Sequence, residues 1–141
     1  NPCSLCAKMR KGALNNAAEE LGCNKIALGH NKNDVIETFL MSLIFEGRIS
    51  CFSPVSFLEK KKLYSIRPLI YVSEYETKSY ADSLGSIIVK NPCPADGSTK
   101  RQEIKELLKT LNKTYPNLNQ RIFGAVTRSL DDWKRGGVNG R

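Results

Sequence analysis

The stretch Lys25-Ile-Ala-Leu-Gly-His-Asn-Lys-Asn-Asp-Val-Ile-Glu37 decides the fold that we predict. Its first five residues, Lys25–Gly29, have the apolar pattern of a short buried strand. From Asp34 to Glu46, apolar side chains occur nearly all round a predicted helix, so we expect that helix to be buried and to end at Gly47. A strand that passes directly into a helix is the repeating unit of α/β proteins.

The same alternation continues on both sides of this unit. A first helix is predicted to follow Cys3 and to end at Gly22, with an inward-facing stripe of Cys6, Met9, Ala13, Ala17 and Leu21. Residues 48–62 have the pattern of loop and edge structure, and strands are predicted at Leu63–Ile66 and Ser86–Val89. Capping-box patterns at Ser73/Glu76 and Thr99/Gln102 each open a predicted helix, the second carrying Ile104, Leu107, Leu108 and Leu111. Pro116 precedes a last helix with Leu118, Ile122, Val126 and Leu130.

This order predicts an α/β fold with a mainly parallel sheet flanked by helices. The 141 residues are enough for one domain, which we expect to span residues 1–135, and the glycine-rich residues 136–141 are predicted to be a flexible tail. The longest apolar run, Phe39–Phe45, is too short to cross a bilayer, and no signal peptide is visible, so we expect a cytoplasmic protein without a membrane partner.

The net charge of +8 is uneven along the chain, since residues 91–141 carry ten Lys or Arg against five Asp or Glu. A basic balance favours an anionic partner, nucleic acid first, although a merely basic solvated surface is the alternative. Basic groups near the cysteines suggest a rim for a polyanion, and they comprise Lys8, Arg10, Lys11, Arg67, Lys100, Arg101, Lys105 and Lys109.

Three of the five cysteines stand in chemically suggestive places. Cys3 and Cys6 form a Cys-x-x-Cys pair near a helix start, which fits a metal centre, a redox pair or two unrelated thiols. Cys93 lies between two prolines, which would fix the direction of its thiol in a metal site or simply bury it in a turn. With one histidine in the chain, a Cys/His zinc finger is nearly excluded, and three thiolates suit a [4Fe-4S] cluster with one open iron. Cys23 and Cys51 are predicted to pack in the core.

The loop that joins the first strand to the second helix is a candidate phosphate site. Gly29 allows a ligand to approach the backbone, and the free N–H groups at the start of the helix attract anions. Asp34 could bind Mg²⁺ or position reacting groups there, and the simpler interpretation is a helix cap with one neighbouring histidine.

Four motifs in this order resemble those of the tRNA 2-thiocytidine synthetase family. They are Asn1-Pro-Cys-Ser-Leu-Cys6; Ala27-Leu-Gly-His30 with Asp34-Val-Ile-Glu-Thr38; Ser65-Ile-Arg-Pro-Leu69; and Lys90-Asn-Pro-Cys-Pro-Ala-Asp-Gly97 with Lys100-Arg-Gln-Glu-Ile-Lys105. That family belongs to the PP-loop ATPases, within the adenine nucleotide alpha hydrolase-like superfamily. The resemblance covers residues 1–112 and implies a Rossmann-type parallel sheet.

The resemblance implies an ATP-dependent sulfurtransferase that thiolates C2 of a cytidine in the tRNA anticodon loop by adenylation and attack of a cluster-bound sulfide. By family analogy, the cluster ligands are Cys3, Cys6 and Cys93, the adenylate site contains Gly29, His30 and Asn31, and the catalytic residues are Asp34 and Arg10. Arg10 stands where some relatives carry a catalytic lysine, and it can only stabilise charge. The tRNA contacts would be Lys8, Lys11, Arg67, Lys100, Arg101 and Lys105. The resemblance also implies Mg²⁺ as a cofactor, a sulfur donor of the cysteine desulfurase type as a partner, and a homodimer.

The chain departs from the family pattern in two places. Asn33-Asp34 replaces two consecutive acids, and residues 1–141 contain no Ser-Gly-Gly-x-Asp-Ser-type phosphate loop. The chain therefore resembles the carboxyl-terminal part of a longer protein, with an incomplete fold that is inactive alone. The alternatives are a related enzyme that thiolates uridine and a non-catalytic, metal-bound RNA-binding module.

Overall fold

The computed structural model describes residues 2–89, 93 and 99–134, with the backbone alone for residues 2 and 3. Its helices are α1 (Pro2–Glu20), α2 (Lys32–Glu46), α3 (Glu74–Ser83), α4 (Lys100–Thr114), α5 (Leu118–Ser129) and α6 (Asp131–Lys134). Its strands are β1 (Lys25–Ala27), β2 (Val55–Leu58) and β3 (Leu63–Ile66). In the part of the chain that these ranges cover, no helix has the length and apolarity that a membrane span requires.

The three strands form a mixed sheet in the order β1-β3-β2. β1 and β3 are parallel, with Ile26 opposite Ser65, as the strand-helix alternation predicts. β2 pairs antiparallel with β3 across a short turn, in which Lys62 has a φ of 53°. The α/β class with a sheet flanked by helices is confirmed, and β2 is an edge strand inside the region for which we predicted loop and edge structure.

The core lies mainly between α2, α4, α5 and α6. α2 packs against α4 and α5, and α5 packs against α6. Their buried side chains form one cluster with Ile70, and it comprises Val35, Ile36, Ile104, Leu108, Phe123, Val126 and Trp133. A smaller cluster of Ala18, Ile26 and Leu63 joins α1 to the sheet.

Local sequence signals account for the helix ends. Asn31 caps α2 in a reciprocal capping box with Asp34, and Gly47 ends that helix in the left-handed conformation at φ 63°. Ser73 and Glu76 form the predicted capping box of α3. Thr99 accepts from the Gln102 N–H, but the Gln102 side chain donates to Glu106, so only half of that predicted box forms.

Several predictions about elements were wrong. α1 begins at Pro2 rather than after Cys3, and its predicted inward stripe is exposed from Cys6 to Leu21, because α1 reaches the sheet only near Ala18. Residues Ser86–Val89 form no strand, and Ile87 is 91% exposed. Cys23 is exposed rather than buried. The carboxyl-terminal end of α2 is also exposed, at Leu43, Ile44 and Phe45, although the whole helix was expected to be buried.

Candidate functional site

A cavity of about 480 Å³ opens at the carboxyl ends of β1 and β3, beside α1. Its size is within the range of small-molecule sites. Basic side chains from three elements line it, namely Arg10, Lys11, His30 and Arg67. Gly29 contributes backbone, and a Cβ placed there would meet nothing within 4 Å, so the glycine leaves open space for a ligand. Its apolar wall is formed by Ala7, Leu14, Ile26 and Leu28.

Two buried nitrogen atoms in this cavity have no hydrogen-bond partner among the described residues. They are Nδ1 of His30 and Nε of Arg67, and both residues line the cavity. Buried polar atoms are nearly always hydrogen-bonded in folded proteins, so these two nitrogen atoms lack a partner that such atoms normally have. The arrangement fits an anionic, partly apolar ligand such as a nucleotide.

Phe52 holds the two orphaned groups in place, and the sequence analysis missed it. The His30 and Phe52 ring centroids are 4.9 Å apart, and the Arg67 guanidinium carbon lies 4.8 Å from the Phe52 centroid. Nη1 of Arg67 donates to the Ser53 carbonyl at 2.6 Å. No sequence signal distinguishes Phe52 from other core aromatic residues.

Burial sets the protonation of both groups. It lowers the pKa of His30 below 6.5, with the nearby Arg67 charge acting in the same direction, so the imidazole is neutral at pH 7. Burial also lowers the pKa of Arg67, which stays far above neutrality, so the guanidinium keeps its charge. The cavity therefore presents a neutral donor or acceptor beside a fixed cation.

Asp34 lies at the start of α2, beside His30 in sequence, and both of its oxygen atoms have partners. Oδ2 accepts from the Asn31 backbone N–H at 2.9 Å, and Oδ1 accepts from Nη1 of Arg101 at 3.4 Å. The side chain of Asn31 in turn accepts from the Asp34 N–H at 3.1 Å. Asp34 thus acts as a cap in this structure, which is the simpler of the two sequence interpretations. Its catalytic role stays a prediction.

Glu37 is the second residue that sequence reasoning missed. Its side chain is 3% exposed, and Oε2 accepts from Nη1 of Arg101 at 2.8 Å. Nζ of Lys105 lies 3.8 Å from Oε1 of Glu37 and 2.8 Å from the Glu74 carboxylate. Burial raises the pKa of Glu37, and the two cations oppose that shift. A lone acid in the run Val35–Leu40, in which Thr38 is the one other polar residue, was the signal that could have found it.

The predicted tRNA-contact residues therefore differ in their surroundings. Lys8 is exposed on α1, while Lys11 and Arg67 line the cavity. Nζ of Lys100 lies 4.6 Å from the centroid of the Phe45 ring. Arg101 and Lys105 are engaged in ion pairs between α4 and the acids of α2 and α3, so they stabilise the helix packing.

The predicted metal ligands are only partly described. Cys6 is exposed in α1 next to Ala7 of the cavity wall, and Cys93 is exposed; the side chain of Cys3 and most of the loop at 90–98 lie outside the described residues. Within the described ranges, no three His, Cys, Asp or Glu side chains come together as a metal site. Cys51 donates to the Val35 carbonyl, and burial raises the pKa of its thiol to about 11, so it is a core residue as predicted.

The chain is similar to curated proteins over most of its length. The chain is 42% identical over 129 residues to the tRNA-cytidine(32) 2-sulfurtransferase of Dichelobacter nodosus (strain VCS1703A), covering 91% of this chain and 48% of that protein. It is 39% identical over 127 residues to the enzyme of the same name from Pelobacter propionicus, covering 89% of this chain and 47% of that protein. The chain thus spans about half the length of the curated relatives that it matches.

A solved structure is also similar over most of the chain. The U34-tRNA thiolase NcsA from Methanococcus maripaludis, determined with its [4Fe-4S] cluster, superposes with a TM-score of 0.71 at 29% identity. The match covers 91% of this chain and 43% of that one. The sequence profile of the PP-loop domain matches residues 5–111, three quarters of the chain and all of the cavity wall. The chain therefore belongs to the PP-loop domain family.

Proposed function

We propose that the full-length protein transfers sulfur to C2 of a cytidine in the anticodon loop of tRNA, in a reaction that consumes ATP. The observation that carries the proposal is the cavity at the carboxyl ends of β1 and β3, where four basic side chains meet an apolar wall and two orphaned nitrogen atoms. Relatives named tRNA-cytidine(32) 2-sulfurtransferase support the same substrate.

The chemistry requires that the C2 oxygen of cytosine become a leaving group. In the proposed reaction, that oxygen attacks the α-phosphate of ATP, a C–O–P linkage forms and pyrophosphate departs. A sulfide nucleophile then adds to C2, the C–O bond breaks and AMP leaves with the oxygen. Both steps develop negative charge on phosphate, which fixed cations in a partly buried site stabilise.

Within the cavity, the roles follow from charge and position. Arg67 and Arg10 supply fixed positive charge for the phosphate, and Gly29 admits the ligand to the backbone. The neutral imidazole of His30 offers Nδ1 for a hydrogen bond to the nucleotide. Asn31 caps α2 and so contributes to the adenylate site indirectly, by fixing the loop that follows β1.

The donor set supports a [4Fe-4S] cluster held by Cys3, Cys6 and Cys93, since Cys6 is exposed and adjoins the cavity wall, and the solved thiolase is named with such a cluster. When bound, a cluster with one iron free of cysteine ligands supplies a place for the sulfur nucleophile. The chain's own contribution is to hold that place beside the residues that bind the adenylate, which is a proximity effect.

Asp34 offers a single carboxylate for Mg²⁺. The carboxylate already accepts from Asn31 and lies beside the Arg101 cation, and the neighbouring acid position is Asn33. We therefore propose no metal step at Asp34, and its catalytic role would be to orient or deprotonate a reacting group. A sulfur donor of the cysteine desulfurase type, a homodimer and a cytoplasmic location remain predictions from the resemblance.

The second candidate is 2-thiolation of a tRNA uridine. It is favoured by one observation, the similarity to a U34-tRNA thiolase over 91% of the chain. The higher identity to cytidine-modifying relatives favours the first candidate. A non-catalytic RNA-binding module would not by itself account for the two buried nitrogen atoms that lack a hydrogen-bond partner among the described residues.

The proposal is tested by thiolation of unmodified tRNA with the full-length protein, ATP and sulfide, followed by nucleoside analysis. We expect 2-thiocytidine and loss of product without ATP. Thiouridine alone would favour the second candidate, and RNA binding without any thionucleoside would favour the module.

The cluster is tested separately, by anaerobic reconstitution with iron and sulfide. We expect about four irons per chain, and loss of iron in the Ala variants of Cys3, Cys6 and Cys93. The exposed Cys23 and the core residue Cys51 provide matched controls, because their Ala variants should retain full iron content. A zinc-only centre that survives Cys93→Ala would contradict the ligand set.

A further inference from the structure

We propose that Tyr71 and Lys32 form a stacking platform for an unpaired RNA base beside the cavity. The inference rests on the proposed function only in taking RNA as the substrate, and it adds a contact for a nucleotide next to the reacting one. Tyr71 follows β3 after the Arg67-Pro-Leu segment and is 62% exposed, although it adjoins the main core.

The ring of Tyr71 is held in one orientation. Its centroid lies 5.8 Å from that of Phe123 and 6.2 Å from that of Trp133, with interplanar angles of 86° and 90°. Both supporting rings are buried, at 8% and 7% exposure. An aromatic side chain that is both exposed and fixed loses little conformational entropy when a base stacks on it.

Lys32 supplies positive charge at the same place. Its Nζ lies 5.4 Å from the Phe123 centroid, and its backbone N–H donates to the Val72 carbonyl at 2.8 Å. Among the described residues Lys32 forms no ion pair, whereas Glu37 and Glu74 are paired with cations of α4. The carboxylate of Glu76 is the acid that the Lys32 charge reaches: it accepts hydrogen bonds from Ser73, and the Lys32 charge contributes to the lowering of its pKa. Lys32 has no direct ion pair among the described residues and can meet a phosphate.

The platform is connected to the cavity by direct contacts. Nε1 of Trp133 donates to the Phe52 carbonyl at 3.2 Å, and the ring of Phe52 packs on His30 in the cavity wall. Lys32 is two residues from His30 in sequence. In the proposal, a strand of RNA that presents one base to the cavity also passes Tyr71.

Single-stranded RNA is the partner that this chemistry fits best. A flat ring beside an ammonium group matches one base and its phosphate, and such platforms bind unpaired bases with little sequence preference. A protein partner would favour a broad apolar patch. Leu69 and Tyr75 are also exposed near Tyr71 in sequence, so the charge of Lys32 is the feature that favours RNA at this ring.

The test measures binding of the full-length protein to a 17-nucleotide anticodon stem-loop that carries 2-aminopurine next to the target base. We expect Tyr71→Ala to weaken binding by about tenfold and to abolish stacking-dependent quenching, while Tyr71→Phe stays within about twofold of the wild type by the same reasoning. Tyr80→Ala is the matched control, because Tyr80 is 67% exposed and has no ring partner among the described residues. Binding of a fully paired duplex should not change.

Tyr71→Leu covers the case in which Tyr71→Ala fails to fold, since leucine keeps apolar contact with Phe123 and Trp133 but offers no flat face. The proposal is overturned if Tyr71→Ala or Tyr71→Leu binds the loop like the wild type. It is also overturned if Tyr80→Ala has the same effect, or if the change appears in the oligomeric state and not in RNA binding. Wild-type protein that makes no thionucleoside would instead contradict the proposed function, independently of Tyr71.

Discussion

The surroundings of His30 illustrate how one side chain characterises the candidate site. It is the only histidine in the chain, its Nδ1 is buried without a partner among the described residues, and burial lowers its pKa below 6.5. The resemblance to the thiocytidine synthetase family implied that His30 lies near the adenylate. The structure adds its contact with the Phe52 ring, its burial and the nearby Arg67 charge, and the last two lower the pKa of the imidazole.

The lowered pKa of His30 predicts a pH effect on stability. The unfolded state binds a proton at higher pH than the folded state, so stability should fall as pH drops from about 6.5 to the folded pKa. The single imidazole resonance allows direct titration by NMR, and we expect a midpoint below 6.5. His30→Gln should remove this component of the pH dependence; a midpoint at or above 6.5 would show that the ring is solvated.

A variant of Asp34 distinguishes a role in helix capping from a role in catalysis. In the full-length protein, we expect Asp34→Asn to keep tRNA binding and iron content but to lower thiolation by about a hundredfold or more. The measurements are the initial rate of thiolation and the thermal stability of Asp34→Asn, each compared with the wild type. Near-normal activity with a stability loss of about 1 kcal/mol would identify Asp34 as a cap only.

At the scale of elements, α4 is joined to α2 by Glu37 and Arg101. Glu37 is buried, and Arg101 also donates to Thr38 at 3.2 Å, so the two helices share a small polar network inside an apolar interface. The sequence analysis assigned Arg101 and Lys105 to RNA because basic residues on a helix look alike whichever way they face. Only the packing of α4 on α2 turns these two toward acids.

Removing one charge of the Glu37–Arg101 pair should lower the free energy of unfolding more than removing both charges. Arg101→Met leaves the buried Glu37 with only the longer 3.8 Å contact to Lys105, for which we expect a loss of about 3 kcal/mol or less, since Arg101 is 39% exposed. The loss should shrink at low pH, because the raised pKa of Glu37 lets the carboxyl group bind a proton. Urea unfolding of Arg101→Met, Glu37→Gln and the double variant at pH 5 and pH 8 checks this. Additive losses at both pH values would argue against coupling.

At the scale of the whole molecule, the basic residues that give the net charge of +8 fall into two groups. Some basic residues are engaged in ion pairs, as Arg101 and Lys105 are, and others such as Lys8 and Lys32 form none among the described residues. Only the second group can release counterions from RNA on binding.

The binding of tRNA by residues 1–141 should therefore weaken steeply with salt. Lys8→Gln should reduce the slope of log Kd against log salt by about one, whereas Lys105→Gln should lower stability and leave the slope unchanged. Filter binding at several salt concentrations measures both. Binding that does not depend on salt, which is a slope near zero, or equal effects of the two variants on the slope would contradict the division of charges.

ATP binding by residues 1–141 is expected to be weak, since they include no glycine-rich phosphate loop. Titration calorimetry of this chain with ATP is the test, with the full-length protein as control. Tight binding by residues 1–141 would show that the cavity beside β1 binds the phosphates unaided.

The sequence by itself determined the local features of this protein. Caps at Asn31 and Ser73 and the turn at Gly47 follow from local propensity, which acts between near neighbours. The parallel pairing of Lys25–Ala27 with Leu63–Ile66 was predicted from the alternation of strands and helices along the chain. The tertiary structure alone decided which surfaces are covered, so the α1 stripe is exposed and Ser86–Val89 is not a strand. It also decided that Arg67 faces a cavity and Arg101 faces Glu37, because burial and pairing depend on residues distant in sequence.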